Sequence, residues 1–175
     1  SKATVSYREM FSFTKAAAKA AMEEFNKIPG VEGCLILSTC NRMEFWVSSS
    51  EDLECSLYDL LCKAKQIDTQ EYKELFTERS DEEAIVHLFE TASGLKSKII
   101  GEDQIITQVK DALSLAREAY STDKVLEMLF RTAVTAGKKV KTEVRLTSAD
   151  SSAISGPIEA LKKQGFSFAG KTCMV

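Results

Sequence analysis

Apolar residues along this chain follow two rhythms, and the change from one to the other marks the expected architecture. Cys34-Leu35-Ile36-Leu37 is a short continuous apolar run, the pattern of a buried strand. Glu44-Phe45-Trp46-Val47, rich in aromatic and β-branched side chains, predicts a second strand. Between them Ser38-Thr39-Cys40-Asn41-Arg42-Met43 is short enough to form the tip of an antiparallel pair, and residues 3–7 are expected to add a further strand beside it. Helical spacing dominates elsewhere. Residues 14–27, rich in alanine and charge, predict a helix that breaks at Ile28-Pro29-Gly30, where proline disfavours helix for its predecessor and glycine permits the turn. Leu53, Leu57, Leu60, Leu61 and Ala64 form a helical stripe after Ser49-Ser50, and residues 75–78 suggest a brief strand. Ser80 and Glu83 have the spacing of a capping box, opening a helix expected to bury Ala84, Ile85, Leu88 and Phe89, with Gly94 as an interruption. Two longer helices follow, at 103–120 with Ile105, Val109, Ala112 and Ala116 on one face, and at about 123–146 with Leu126, Leu129, Phe130, Ala133, Val140 and Val144. The fold class that follows is α+β, a small antiparallel sheet packed with helices. Residues 147–151 break the pattern as a linker, 154–163 read as a helix with Pro157 in its first turn, and 168–175 as an interrupted strand.

Composition narrows the setting. The chain is 44% hydrophobic and 28% charged with two prolines, an ordinary globular balance. No apolar run approaches the roughly 20 residues of a membrane span, and the start has no secretory pattern. The expected location is intracellular, cytoplasmic or, in a plant or alga, the plastid. A net charge of −3 gives no general polycationic character, so any RNA contact has to be local. The five cysteines, Cys34, Cys40, Cys55, Cys62 and Cys173, are odd in number and include no C-x-x-C pair, against both a disulfide framework and a zinc site. Four lie in apolar contexts and read as small buried hydrophobes. Cys40 does not.

Cys40 sits on the expected turn, flanked by Thr39, Asn41 and Arg42. A thiol is nucleophilic as thiolate, which nearby cations and donors favour. On an extended chain Arg42 would leave on the same face as Cys40, placed to bind a carboxylate bidentately. An inert cysteine beside a salt-bridged arginine fits the same spacing. His87, the sole histidine, is a candidate base for a thiol but also borders an apolar helix stripe. Glu102, Asp103, Gln104 and Gln108 cluster at an expected helix start. Gln104 and Gln108 share a face there, although the helix dipole alone favours acidic residues at that end. Lys138, Lys139, Lys141 and Arg145 form the main basic cluster, spread around a helix as a solvated face would be, with phosphate contact the sharper option.

Taken together these segments resemble the glutamyl-tRNA reductase family over nearly the whole chain. Residues 37–44, with Ser38-Thr39-Cys40-Asn41-Arg42 and Glu44, are similar to its S-T-C-N-R-x-E signature. Residues 94–108 are similar to G-L-x-S-x-x-x-G-E-x-Q-I-x-x-Q, and 137–143 to G-K-x-V-R-T-E. The resemblance implies that Cys40 attacks the ester joining glutamate to its tRNA, giving a thioester that NADPH reduces to glutamate-1-semialdehyde, the first step of five-carbon tetrapyrrole synthesis. It implies catalytic roles for Cys40 and His87, and substrate contacts from Thr39, Asn41, Arg42, Ser97, Glu102, Asp103, Gln104 and Gln108. The implied partners are glutamyl-tRNA, glutamate-1-semialdehyde aminotransferase, and a second copy joined through a C-terminal domain not found in this sequence. No metal and no membrane are implied.

Three departures stand out. The family's H-K-[ST]-A start is only partly present, as Ser1-Lys2-Ala3 ahead of Arg8-Glu9, so the beginning of the first strand is expected to be missing. Lys96 and Asp103 stand where aspartate and proline or glycine are common. Residues 168–175 resemble the first strand of a Rossmann-type α/β domain, but no G-x-G-x-x-G follows, so the NADPH site is expected to lie mostly beyond residue 175. The expected division is a glutamyl-tRNA-binding catalytic domain at 1–147 and the truncated start of an NADPH-binding domain at 148–175. Two rival readings are a cysteine acyltransferase or hydrolase using Cys40 and His87 without reduction, and a non-catalytic RNA-binding module using the 138–145 face.

Overall fold

The computed structural model describes residues 4–67, 71–97, 104–144, 160–167 and 169–170. Six α-helices and one hairpin make up most of the described architecture: α1 (Val5–Phe11), α2 (Lys15–Phe25), β1 (Gly33–Ser38), β2 (Met43–Ser48), α3 (Leu57–Lys65), α4 (Asp81–Ala92), α5 (Gln104–Glu118) and α6 (Lys124–Glu143). The strands pair antiparallel in a register running from Gly33 opposite Ser48 to Ser38 opposite Met43. This is the α+β class expected from the apolar pattern.

Strand β1 is the centre of the core. Cys34, Leu35, Ile36 and Leu37 are all at most 2% exposed, because α2, α5 and α6 pack around the strand. A continuous apolar run suits a strand covered on both faces, whereas an alternating one suits a strand with a wet side. Met22, Phe25, Leu88, Val109, Leu113, Leu126 and Phe130 complete this cluster. The expected inner face of α5, Ile105, Val109, Ala112 and Ala116, is buried as the spacing requires. Thr14 and Asp123 cap α2 and α6 through side-chain acceptors, satisfying otherwise unpaired amides.

A smaller cluster joins α1 to α3. Phe11, Tyr58, Leu61 and Cys62 pack with Tyr72 and Phe76, and the Phe11 and Phe76 rings meet edge-on at 4.8 Å. This cluster explains two departures from the sequence pattern. Residues 5–7 begin a helix, because Tyr7, Met10 and Phe11 stand three and four apart and carry Phe11 into the aromatic group. Residues 75–78 form no strand, since Phe76 is drawn between Phe11 and Tyr58 and only the single 3-10 turn Lys73–Leu75 precedes it.

Other expectations shift by a fraction of a turn. Helix α3 starts at Leu57, capped by Ser56; Leu53 lies ahead of it and Ala64 is exposed, while Tyr58 and Cys62 are buried. Ser80 makes no side-chain cap, because the left-handed backbone of Asp81 (φ 48°) breaks the regular first turn in which the box forms. Ile85 is 45% exposed, and the buried line of α4 runs instead through Leu88, Thr91 and Ala92. At the end of α6 Val144 is also exposed. Cys34 and Cys62 are buried and Cys55 partly so, while Cys173 lies outside the described residues. The linker at 147–151, most of the 154–163 helix and the 168–175 strand also fall largely outside them, with 160–163 helical.

Helices α4 and α6 approach unusually closely at Gly137. A Cβ on Gly137 would stand 2.5 Å from the Ala92 carbonyl oxygen and 2.9 Å from its carbon, and both are backbone atoms. Gly137→Ala should therefore destabilise the fold by about 1–3 kcal/mol from overpacking, against a helix-propensity gain of about 1 kcal/mol. The urea midpoint measures this, and a stabilised variant would remove the close-packing account.

Candidate active site

The hairpin tip is built by its own residues. The Thr39 amide donates to the Arg42 carbonyl at 2.8 Å, extending the ladder so that only Cys40 and Asn41 remain at the tip. Neither has positive φ, so the turn is not one of the primed types that usually match strand twist. Thr39 compensates, its hydroxyl oxygen accepting from the amides of Asn41 at 3.2 Å and Arg42 at 3.1 Å. Threonine at this position thereby fixes a turn that leaves Cys40 exposed.

Arg42 points back under the tip and is half-wrapped by the helical half. Its Nη1 donates to Thr91 Oγ1 at 2.7 Å and Glu44 Oε1 at 3.1 Å, and its Nη2 donates to the Lys96 carbonyl at 2.5 Å. That carbonyl is placed by the end of α4. Gly94 adopts φ 75°, its amide donates to Thr91 O, and the Leu95 amide donates to Glu90 O, which is a Schellman closure. Glycine is needed there for the left-handed backbone. Lys96 itself is turned outward to Glu90, at 3.2 Å.

Glu44 gathers three donors. Oε1 accepts from Arg42 and lies 2.9 Å from His87 Nε2, while Oε2 accepts from Trp46 Nε1 at 3.1 Å. The Trp46 and His87 rings stack with centroids 6.2 Å apart. Burial alone would push the Glu44 carboxyl up, but the hydrogen bond and charge of His87, the Arg42 charge and the Trp46 N–H outweigh it and hold its pKa below the usual carboxylate value. The carboxylate is thus ionised, nearly enclosed and fully partnered.

A small pocket opens beside Cys40, lined by Thr39, Cys40, Asn41, Arg42, Ser97, Gln104, Ile105 and Gln108. Seven of these eight positions were expected from the sequence. Cys40 and Arg42 both line it, although a turn, not extended chain, brings them together. Glu102 and Asp103 lie outside the described residues. His87 does not line this pocket; the partner it meets is Glu44. Sequence reasoning missed Glu44, Trp46 and Thr91, although Glu44 and Trp46 alternate along the strand and so share a face, with Arg42 two positions before Glu44. It also missed Arg8, whose Nη1 reaches the Cys40 carbonyl at 3.3 Å and Asn41 Oδ1 at 3.2 Å. No spacing signals that contact, because α1 brings Arg8 across 32 residues of sequence. The basic residues Lys138, Lys139 and Lys141 are exposed on α6, and Arg145 is outside the described residues.

A larger cavity of about 290 Å³ adjoins along α5, with Phe13, Ile36, Leu37 and Leu115 among its lining, and shares Gln108 with the Cys40 pocket. Cys34 is excluded from chemistry, since burial pushes its thiol up to about 12 despite the Ser121 hydroxyl. Among the described residues no cluster of three or more His, Cys, Asp or Glu is arranged to hold a metal. The described residues do not fit a dinucleotide either. None of the eight glycines in the sequence is spaced G-x-G, and Gly33 and Gly137 are packed tightly against Asp123 and Ala92, with no room for a phosphate at either. No helix among the described residues is long and apolar enough to cross a membrane.

The lowered Glu44 pKa has a sign for stability. Its contribution is fully present above the unfolded carboxylate value, about 4.3, and is lost as pH falls through the lower folded value. Unfolding free energy from urea titrations between about pH 2 and pH 6 should drop more steeply on acidification than in Glu44→Gln, by up to about 1.4 kcal/mol per pH unit for one proton. Parallel acid limbs would mean that Glu44 titrates normally.

Residues 1–144 match the family described as glutamyl-tRNAGlu reductase, N-terminal domain. A glutamyl-tRNA reductase of Acetivibrio thermocellus is 43% identical over 162 residues, covering 93% of this chain and 49% of the relative. A probable multifunctional siroheme biosynthesis protein of Ruminiclostridium josui is 37% identical over 174 residues, 99% of this chain and 34% of the relative. Among solved structures, glutamyl-tRNA reductase from Methanopyrus kandleri superposes with a TM-score of 0.69 at 30% identity, covering 93% of this chain and 37% of that one. The chain therefore spans about half the length, or less, of the relatives it matches. An exposed cysteine on a threonine-locked hairpin, an arginine beneath it and a glutamine-bearing helix beside it thus stand in a chain that belongs to the glutamyl-tRNA reductase N-terminal domain family.

Proposed function

We propose that this chain carries the acyl-transfer half of glutamyl-tRNA reduction, with Cys40 as the nucleophile. The observation that carries the reading is the pocket itself. It draws Cys40 and Arg42 from one sequence motif and Ser97, Gln104 and Gln108 from another, around a single opening.

The Cys40 sulfur, as thiolate, attacks the carbonyl carbon of the glutamyl ester. A C–S bond forms, the bond to the ribose oxygen breaks, and that oxygen takes a proton to leave as the tRNA hydroxyl. The α-carboxyl of the substrate is tied up in the ester, so its free groups are a γ-carboxylate and an α-ammonium. Arg42 supports the carboxylate, because Nε–H and one N–H of Nη2 have no partner among the described residues and a guanidinium is suited to carboxylate contact. Gln104, Gln108, Ser97 and Asn41 supply neutral donors and acceptors around it, and Glu102 and Asp103 are proposed to face the ammonium. Arg8 and Arg42 add positive potential near the sulfur, which favours thiolate.

Reduction of the thioester to glutamate-1-semialdehyde takes a hydride from NADPH, for which the described residues offer no fitting site. The same reading makes glutamyl-tRNA the macromolecular partner and passes the aldehyde to glutamate-1-semialdehyde aminotransferase in tetrapyrrole synthesis. It also makes the full protein a homodimer and residues 148–175 the entry to its NADPH-binding domain.

Brief incubation of the chain with glutamyl-tRNA should yield a glutamyl adduct on the wild type and none on Cys40→Ser, by intact mass spectrometry. Without a hydride donor the thioester should pass slowly to water, with Cys40-dependent release of free glutamate. A folded wild-type protein that leaves the ester intact would refute the nucleophile assignment.

A further inference from the structure

Glu44 and Thr91 hold Arg42 in one orientation, and His87 touches that assembly and not the cysteine pocket. We infer that Glu44 is the positioning residue of the substrate-carboxylate clamp, and that His87 serves the site through Glu44, not as a base for Cys40. This rests on the acyl-transfer reading above and assigns the residues behind it.

A guanidinium has five N–H donors, and their division sets what Arg42 can bind. Both Nη1 hydrogens are committed, to Glu44 Oε1 and Thr91 Oγ1, and one Nη2 hydrogen is committed to the Lys96 carbonyl. The donors left without a partner among the described residues are Nε–H and the other Nη2 hydrogen. Remove the Glu44 carboxylate, and Nη1 loses its anionic acceptor, leaving the guanidinium held more loosely by Thr91 and the Lys96 carbonyl. A mobile arginine still attracts a carboxylate but no longer selects its geometry.

His87 is the support on the other side. It stacks on Trp46, a residue 9% exposed, and lies 2.9 Å from the same Glu44 oxygen that receives Arg42. Glu44 is thereby held from three directions, by β2 through Trp46, by α4 through His87, and by Arg42 at the base of the hairpin tip. Among the described residues, the charged group that bonds His87 is Glu44, which also binds Arg42, whereas the one that bonds the Cys40 turn is Arg8. The His87 contact helps to hold the Glu44 carboxylate in place, and it engages the Nε2 ring nitrogen of an imidazole that does not line the Cys40 pocket.

Two measurements test this on the full chain. The first needs no tRNA: alkylation of Cys40 by iodoacetamide is followed against pH in the wild type and His87→Ala. The midpoints should coincide. A shift of more than about half a unit in His87→Ala would show that the imidazole acts on the thiol, and would overturn the assignment. The second compares Cys40 acylation by glutamyl-tRNA and glutaminyl-tRNA, whose side chains differ in charge but little in size. His87→Ala, Glu44→Gln and Thr91→Val should each raise half-saturation for glutamyl-tRNA by about tenfold or more. The rate at saturation should change far less, and the preference over glutaminyl-tRNA should shrink in parallel. Thr91→Ser, which keeps the acceptor, should restore it. A fall of a hundredfold or more in the saturating rate with unchanged half-saturation is the signature of a lost base, and it too overturns the proposal. If wild-type Cys40 is never acylated, the acyl-transfer reading fails by itself, and the alkylation midpoints still decide whether His87 acts on the thiol.

Discussion

The site depends on one carboxylate that is almost out of solvent. Glu44 is stable as an anion in that position only because Arg42, His87 and Trp46 surround it with donors. Loss of the charged Arg42 partner would break a buried pair, at about 3–5 kcal/mol, and loss of either other donor would leave the charge less well compensated. Each donor comes from a separate part of the fold: the foot of the hairpin turn, the face of α4, and the body of β2. The ion-pair network and the tertiary arrangement are therefore one constraint. Sheet and helix must meet at this spacing for the charge to be tolerated, and the charge in turn ties them there.

The cysteine has the opposite environment. Cys34 and Cys62 are enclosed, whereas Cys40 stands exposed at the apex of a turn. Rigidity is supplied by the backbone, through the Thr39 hydroxyl and the Arg8 guanidinium, which grips the Cys40 carbonyl. An exposed thiol on a stiff tip, with a firmly held cation beneath it, suits the proposed reaction, in which the substrate is large and its reactive end small. Under that proposal the bulk of the macromolecule remains outside while only the acyl group enters.

Much of this was legible in the sequence, for reasons that differ by residue. The strands announced themselves through β1, whose unbroken apolar run has one good explanation, burial on both faces. Cys40 was marked by its polar flanks, and Gln104 and Gln108 by helical spacing. Where the pattern failed, the deciding contacts were distant. Residues 5–7 and Phe76 took their conformations from an aromatic cluster assembled from three segments, and no local rhythm encodes such a meeting. On α4 the sequence favoured Ile85 as a core residue because it is apolar, yet the helix turns Thr91 inward, since a buried hydroxyl is needed for Arg42. His87 was conspicuous as the sole histidine, but its partner, a glutamate 43 residues earlier, could not be read from spacing.

Gly137 carries a consequence of another kind. Its missing side chain lets α6 rest directly on the Ala92 carbonyl, one residue beyond the Thr91 that grips Arg42. The depth at which the guanidinium sits is thus gauged from the back of the domain, by a residue with no chemistry of its own. In a lineage of such proteins this glycine would be kept not for the turn it permits but for the thickness it saves, like a shim whose removal misaligns a tool at its far end.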